Sequence, residues 1–154
     1  MLCDPLARLA EDRGHEVADV CVVLDHDGIV KTLGDFSALF LVTRSGDSLD
    51  GAFPMAPYAA RGQGDSYYGL RRMPYSVDMG KNGLTFKHIS NGQALPSVPR
   101  RMTGGGNAEV HNAGEVWATA MWEVYVALQK AGKMNGLTFD AVRRKMADYV
   151  VRGL

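Results

Sequence analysis

The chain has 154 residues, with 17 Lys+Arg against 17 Asp+Glu, 46% apolar residues and 22% charged residues. That length fits one domain with room for a buried core, and the apolar content excludes a disordered chain. Zero net charge argues against a nucleic-acid or anionic-membrane binder, because both need a basic excess or patch.

Residues 5–13 (PLARLAEDR) predict a short helix with Pro5 in its first turn and Gly14 at its end. The two cysteines, Cys3 and Cys21, cannot build a disulfide scaffold and offer no CxxC zinc knuckle, so they read as buried thiols. No apolar run is long enough to cross a membrane, and the start MLCDPLARLAEDRG is too charged for a signal peptide. Residues 15–24 (HEVADVCVVL) are β-branched and apolar, a buried strand or helix that periodicity does not separate. DHDG at 25–28 reads as a turn.

Residues 31–43 predict a mostly buried helix through Leu33, Phe36, Leu39, Phe40 and Val42. Residues 44–113 hold most of the glycines and all but one proline, and read as a long irregular region anchored by aromatics such as Phe53, Tyr58, Tyr67, Tyr68, Tyr75 and Phe86. The stretch 114–131 gives the clearest helix, with Val116, Trp117, Ala120, Met121, Val124 and Leu128 on one stripe. Glu115 is placed at its N-terminus, and Lys130 with Gly132 at its end. A last helix at 139–152 has Thr138 as N-cap and Phe139, Val142, Met146, Tyr149 and Val150 as its apolar face. Arg143, Arg144 and Lys145 read as its solvated side. The fold class is therefore mainly α, with a core of Phe36, Leu39, Phe40, Trp117, Met121, Val124, Val142 and Met146.

Four segments carry candidate chemistry. HEVAD at 15–19 is half of a helical His-Glu-x-x-His zinc pattern, with Asp19 where the second His would stand; coincidence is the simpler reading of His15, Glu16 and Asp19. Asp35 sits in an apolar helix, where it reads as a structural salt bridge, a surface-facing carboxylate or a group that orients a metal-bound His. GGGNAEVHNAGEVW at 104–117 places His111 in extended chain just before a helix, where it either plugs a turn or donates to a developing oxyanion. In YYGLRRMPYSVDM at 67–79, Arg71 and Arg72 among tyrosines bind a carboxylate or carbonyl, or stack on the rings at the surface.

Taken together, GIVKTLGDFSALF at 28–40, DSYYGLRRMPYSVDMGKNGLTFKHI at 65–89, EVHNAGEVWATAMWEVYVAL at 109–128 and LTFDAVRRKMADYVV at 137–151 resemble, in order, the second half of the fungalysin-type zinc metallopeptidase catalytic domain. The resemblance covers residues 28–154 and leaves 1–27 as an atypical leader. It implies the helical C-terminal lobe of a thermolysin-like (gluzincin) fold with long loops, an extracellular setting, and zinc with a peptide or protein substrate. Carried over by position, Asp35 supports a zinc-bound His and His111 stabilises the oxyanion, with Arg72 and Tyr75 on the substrate side. The family's ligand Glu falls on Lys31, whose ammonium has no lone pair for a metal. No intact His-Glu-x-x-His helix precedes it; His15 and Asp19 are weak metal candidates. The family's β-rich N-terminal half is the expected missing partner.

Three readings follow: an incomplete or inactive member of a zinc endopeptidase lineage, a non-catalytic peptide- or protein-binding form that uses 53–89, and a small enzyme built on His15, Glu16, Asp19 and His111.

Overall fold

The computed structural model of the chain describes residues 26–59, 66–96 and 105–153. The expected helix at 5–13, the stretch at 15–24, both cysteines, and His15, Glu16 and Asp19 lie outside the described residues. Among those described, three α-helices occur: α1 (His26–Val42), α2 (Val110–Met134) and α3 (Phe139–Gly153). A 3₁₀ turn spans Phe86–Ile89, and β pairing among the described residues is limited to isolated bridges at Phe53–Tyr75 and Met55–Gly69. The described structure is mainly helical, and the described residues between α1 and α2 are mostly irregular. Contacts separate two units, Asp25–Trp122 and one that includes Glu123–Leu154, and α2 contributes residues to each.

The turn expected at 25–28 does not form: residues 26–28 already belong to α1. The cause is tertiary. Gly28, Thr32, Asp35, Phe36, Leu39 and Thr43 are all buried and follow the helical period, so the inward stripe starts at Gly28. The Thr32 hydroxyl donates to the Gly28 carbonyl at 2.8 Å and reaches the Gly114 carbonyl of α2 at 3.4 Å. A Cβ on Gly114 would stand 3.0 Å from the Lys31 Cβ and 3.3 Å from the Thr32 nitrogen. Gly114 thus lets α1 lie against the backbone of α2, and that packing overrides the turn preference of Asp-Gly.

The N-terminus of α2 also departs from expectation. Val110 and His111 are helical rather than extended, because Glu109 caps the helix. The N–H groups of His111 and Asn112 donate to Glu109 Oε2 at 3.0 and 3.3 Å, and Ala113 N–H donates to the Glu109 carbonyl at 2.8 Å. Glu115, expected at the helix start, lies inside α2 and is buried. Nor does Gly132 end the helix. The chain leaves at Gly136 (φ +72°), with Gly136 N–H on the Lys133 carbonyl and Leu137 N–H on the Gly132 carbonyl, which is a Schellman closure.

In the Asp25–Trp122 unit the irregular chain is pinned by paired bonds. Phe53 and Tyr75 exchange N–H···O bonds at 2.9 and 3.0 Å, and Leu70 N–H donates to the Met55 carbonyl. Gly69 (φ +62°) has no room for a side chain, since a Cβ there would strike the Met55 carbonyl. Met73, Leu84, Ile89, Ala113 and Val116 form one buried cluster, with Tyr68, Phe86 and Leu95 packed against it. Edge-on ring pairs add Phe86 to Trp117 and Phe53 to Trp122. Of the predicted core here, Phe36, Leu39, Trp117 and Met121 are buried, while Phe40 is only half-buried.

In the other unit α3 starts where predicted: Ala141 N–H donates to Thr138 Oγ1 at 3.2 Å. Val142 and Met146 are buried and Tyr149 is largely exposed. Gly132 is a contact point, since a Cβ there would collide with Val142. The Gln129 amide donates to the Tyr125 hydroxyl and to the Phe139 carbonyl, fixing the helix pair through a buried polar link. Val124 of the predicted core is half-buried.

Candidate functional site

Asp35 projects from the buried stripe of α1 into a cluster made by the 71–75 segment. Arg71 forms a fork on it, Nε to Oδ2 at 2.5 Å and Nη2 to Oδ1 at 2.8 Å. The Tyr75 hydroxyl donates to Oδ2 at 2.5 Å. Tyr75 is fully buried, and burial followed by the Asp35 charge holds its phenol protonated, well above its ordinary pKa. Burial works against the Arg71 charge, but the Asp35 carboxylate outweighs it and raises the guanidinium pKa. Asp35 is buried and carries a salt bridge to Arg71, so it does not face the surface.

Arg72, expected on the substrate side, is engaged with other partners. It is 1% exposed. Its Nε donates to Glu115 Oε2 at 2.9 Å, Nη1 to Asn107 Oδ1 at 2.9 Å and Nη2 to the Asn112 carbonyl at 2.6 Å. Glu115 Oε1 accepts the Met73 N–H at 2.9 Å. Burial pushes Glu115 upward, against the pull of Arg72 and the Met73 N–H. Asn107 passes the link on, its amide donating to the carbonyls of Ser90 and Gln93. Arg72 thus ties the 71–73 segment to α2, and the Tyr75 hydroxyl is bonded to Asp35; Arg71, with a side chain 15% exposed, is the guanidinium at the edge of the cluster.

His111 is the second residue of α2, and its side chain is 43% exposed. Its Nδ1 lies 2.7 Å from Glu109 Oε1. The residues that sequence reasoning missed are Glu109, Asn107 and Asn112. Glutamate is not a favoured N-cap, so nothing in the residue type announced Glu109. A weak signal existed in the carboxylate two positions before His111.

The other histidine with a defined environment, His88, is buried and takes the Thr85 N–H on Nδ1 at 2.8 Å. A bare Nδ1 requires the neutral ring. Burial, then the nearby Lys87 charge, holds its pKa below the ordinary 6.5. The unfolded chain therefore binds this proton first as pH falls, so stability is full above the unfolded value and is lost below it. The urea midpoint is expected to drop between about pH 7 and 5, and His88→Gln is expected to flatten that slope. Glu109 acts lower: its pKa is shifted below 4.5, as the His111 partner and the α2 N–H groups outweigh its burial, so its contribution is lost only as pH falls beneath that value.

The donor set among the described residues does not fit zinc. No group of three His, Cys, Asp or Glu side chains converges there. Both Asp35 oxygens hold Arg71, Glu115 holds Arg72, and the Nδ1 atoms of His88 and His111 are engaged. Lys31, one turn before Asp35 on α1, supplies an ammonium where the resemblance calls for a carboxylate.

Comparison with known proteins gives a consistent picture. The sequence matches the fungalysin metallopeptidase (M36) family over residues 13–152, which begins inside the stretch 1–27. Over 107 residues it is 32% identical to the extracellular metalloproteinase mep of Aspergillus terreus, covering 69% of this chain and 14% of that protein. Extracellular metalloproteinase 9 of Coccidioides posadasii is 29% identical over 114 residues, 73% of this chain and 15% of the relative. Extracellular metalloproteinase 2 of Arthroderma gypseum is 31% identical over 101 residues, 66% of this chain and 13% of the relative. The chain thus spans about one seventh of the length of the curated relatives it matches. No solved structure matches it. No helix among the described residues is long and apolar enough to cross a membrane.

Proposed function

Since this chain belongs to the fungalysin metallopeptidase family, we propose that residues 28–154 form the helical lobe of a thermolysin-like, extracellular zinc endopeptidase, and that this chain by itself is an inactive form. In this reading the substrate is a peptide or protein. His111 faces the oxyanion of the tetrahedral intermediate, and Asp35 stands at the position from which the family supports its metal site, here held by Arg71 and Tyr75. Zinc, when bound in such a site, would supply the activated water.

The observation that carries the inactive reading is the Lys31–Asp35 pair on α1. The residue at the ligand position is a cation, and the carboxylate one turn on is clamped by Arg71 and Tyr75. Without a carboxylate at that position, a dication finds one anionic ligand fewer, and the remaining carboxylate, Asp35, is already paired with a cation. What the chain's own residues do is hold the scaffold: Arg71 and Tyr75 fix α1 to the 71–75 segment, and Glu109 fixes His111 at the start of α2.

The expected result is that the purified chain, loaded with zinc and then dialysed, retains far less than one equivalent and does not cleave casein. Stoichiometric zinc that survives dialysis, with chelator-sensitive cleavage, overturns the inactive form. A second reading, peptide binding without cleavage, is favoured by the exposure of Tyr58 and Tyr67. Saturable casein binding by the dialysed chain, without cleavage, supports it.

A further inference from the structure

We infer that Glu109 is a positioning residue for His111, with one carboxylate oxygen capping α2 and the other fixing the tautomer of the His111 ring. The inference deepens, and rests on, the reading of His111 as the group facing the oxyanion.

The geometry separates the two jobs by atom. Oε2 accepts the N–H groups of His111 and Asn112, the second and third positions of α2, at 3.0 and 3.3 Å. Oε1 lies 2.7 Å from Nδ1 of the His111 ring. An ionised carboxylate only accepts, so the proton of this contact sits on Nδ1. Glu109 is ionised under ordinary conditions, since its pKa is held below the usual value. A capping carboxylate is locked in place by the helix it caps, and that lock is what orients the ring.

The consequence is chemical. With Nδ1 protonated, the neutral ring presents a bare Nε2, which has no hydrogen-bond partner among the described residues and belongs to a side chain 43% exposed. Neutral His111 therefore accepts from a donor such as a peptide N–H or water. Only the doubly protonated ring donates from Nε2 to an anionic oxygen, and Glu109 is the counter-charge that accompanies it. On the packed helix α1, Lys31 has its Cβ against Gly114, one turn along α2 from His111, and Asp35 is paired with Arg71. The site thus sorts ligands by proton state, an oxyanion or carboxylate for the imidazolium and a hydrogen-bond donor for the neutral ring.

The test is the ring nitrogen spectrum of His111 in the intact chain at alkaline pH, by long-range proton–nitrogen correlation. The expected result is a dominant Nδ1–H tautomer. Glu109→Ser keeps a preferred N-cap but cannot reach the ring. It is expected to leave helix content unchanged and to return His111 to the Nε2–H form that free histidine prefers. A dominant Nε2–H form in the wild type overturns the inference, whether or not the variant folds. So does an Nδ1–H form that persists in a folded Glu109→Ser protein. Neither zinc nor cleavage enters this measurement, so its failure is distinct from a failure of the proposed function.

Discussion

Arg72→Ala is expected to bring the protein to the edge of unfolding. The change leaves the Glu115 carboxylate buried without its charge partner and removes the donors that Asn107 and the Asn112 carbonyl use. Breaking one side of a buried pair costs about 3–5 kcal/mol. A domain of ordinary stability holds only about 5–15 kcal/mol in total. The loss has no local repair, because Arg72 ties three segments: 71–73, the 90–93 turn through Asn107, and the first turns of α2. Arg72→Lys tests what matters about the cation. Lysine keeps the charge, but its compact ammonium cannot serve three acceptors spread around a planar fork. It is therefore expected to recover less than half of the loss. Glu115→Gln is expected to be milder, since an amide oxygen still accepts from Met73 or Arg72. Urea unfolding followed by circular dichroism reads all three. An Arg72→Lys protein within about 1 kcal/mol of the wild type would show that charge alone suffices, against the fork geometry.

The existence and type of the three described helices were legible in the periodicity, because their buried stripes are long and repeat at 3.6 residues. Their ends were not. α1 starts earlier than the Asp-Gly signal allows because Gly114 admits it to the backbone of α2, a contact between positions 82 residues apart in Thr32 and Gly114. The start of α2 was hidden by an unusual cap, Glu109, and its end by a glycine, Gly132, that serves helix packing rather than termination. The site was partly legible. A carboxylate in an apolar helix had to find a partner, and Asp35 did. Which of two adjacent arginines it would find was not written locally. Arg71 and Arg72 follow one another through a bend and reach different helices, Asp35 of α1 and Glu115 of α2, so a choice for one fixes the other. The sequence order of Arg71, Arg72 and Tyr75 is compatible with either choice until α1 and α2 are both in place.

Asp35→Ala is expected to cost about 3 kcal/mol, from roughly 1–3 kcal/mol for each buried group left without its partner. The Tyr75 hydroxyl is the expensive one, because the residue is fully buried, whereas Arg71 is 15% exposed and reaches water. Asp35→Asn should fall between Ala and wild type. Its amide oxygen satisfies one donor, but its amide nitrogen then faces a donor of Arg71 or the Tyr75 hydroxyl. Tyr75→Phe removes one bond and leaves the Arg71 fork on Asp35, at a cost of about 1 kcal/mol. This order, Ala worse than Asn worse than the Tyr75 change, is specific to a carboxylate whose main partners are Arg71 and Tyr75. A carboxylate kept to orient a metal-bound His predicts a different pattern. Asp35→Asn would then be nearly neutral in zinc-free protein and would weaken zinc binding by about 10–100-fold. Urea midpoints of the three variants in chelator, set beside zinc titrations of wild type and Asp35→Asn, separate the two. A full stability loss in chelator with no zinc affinity to lose places Asp35 in the scaffold of this chain. The reverse result would return it to the metal site and overturn the inactive form with it.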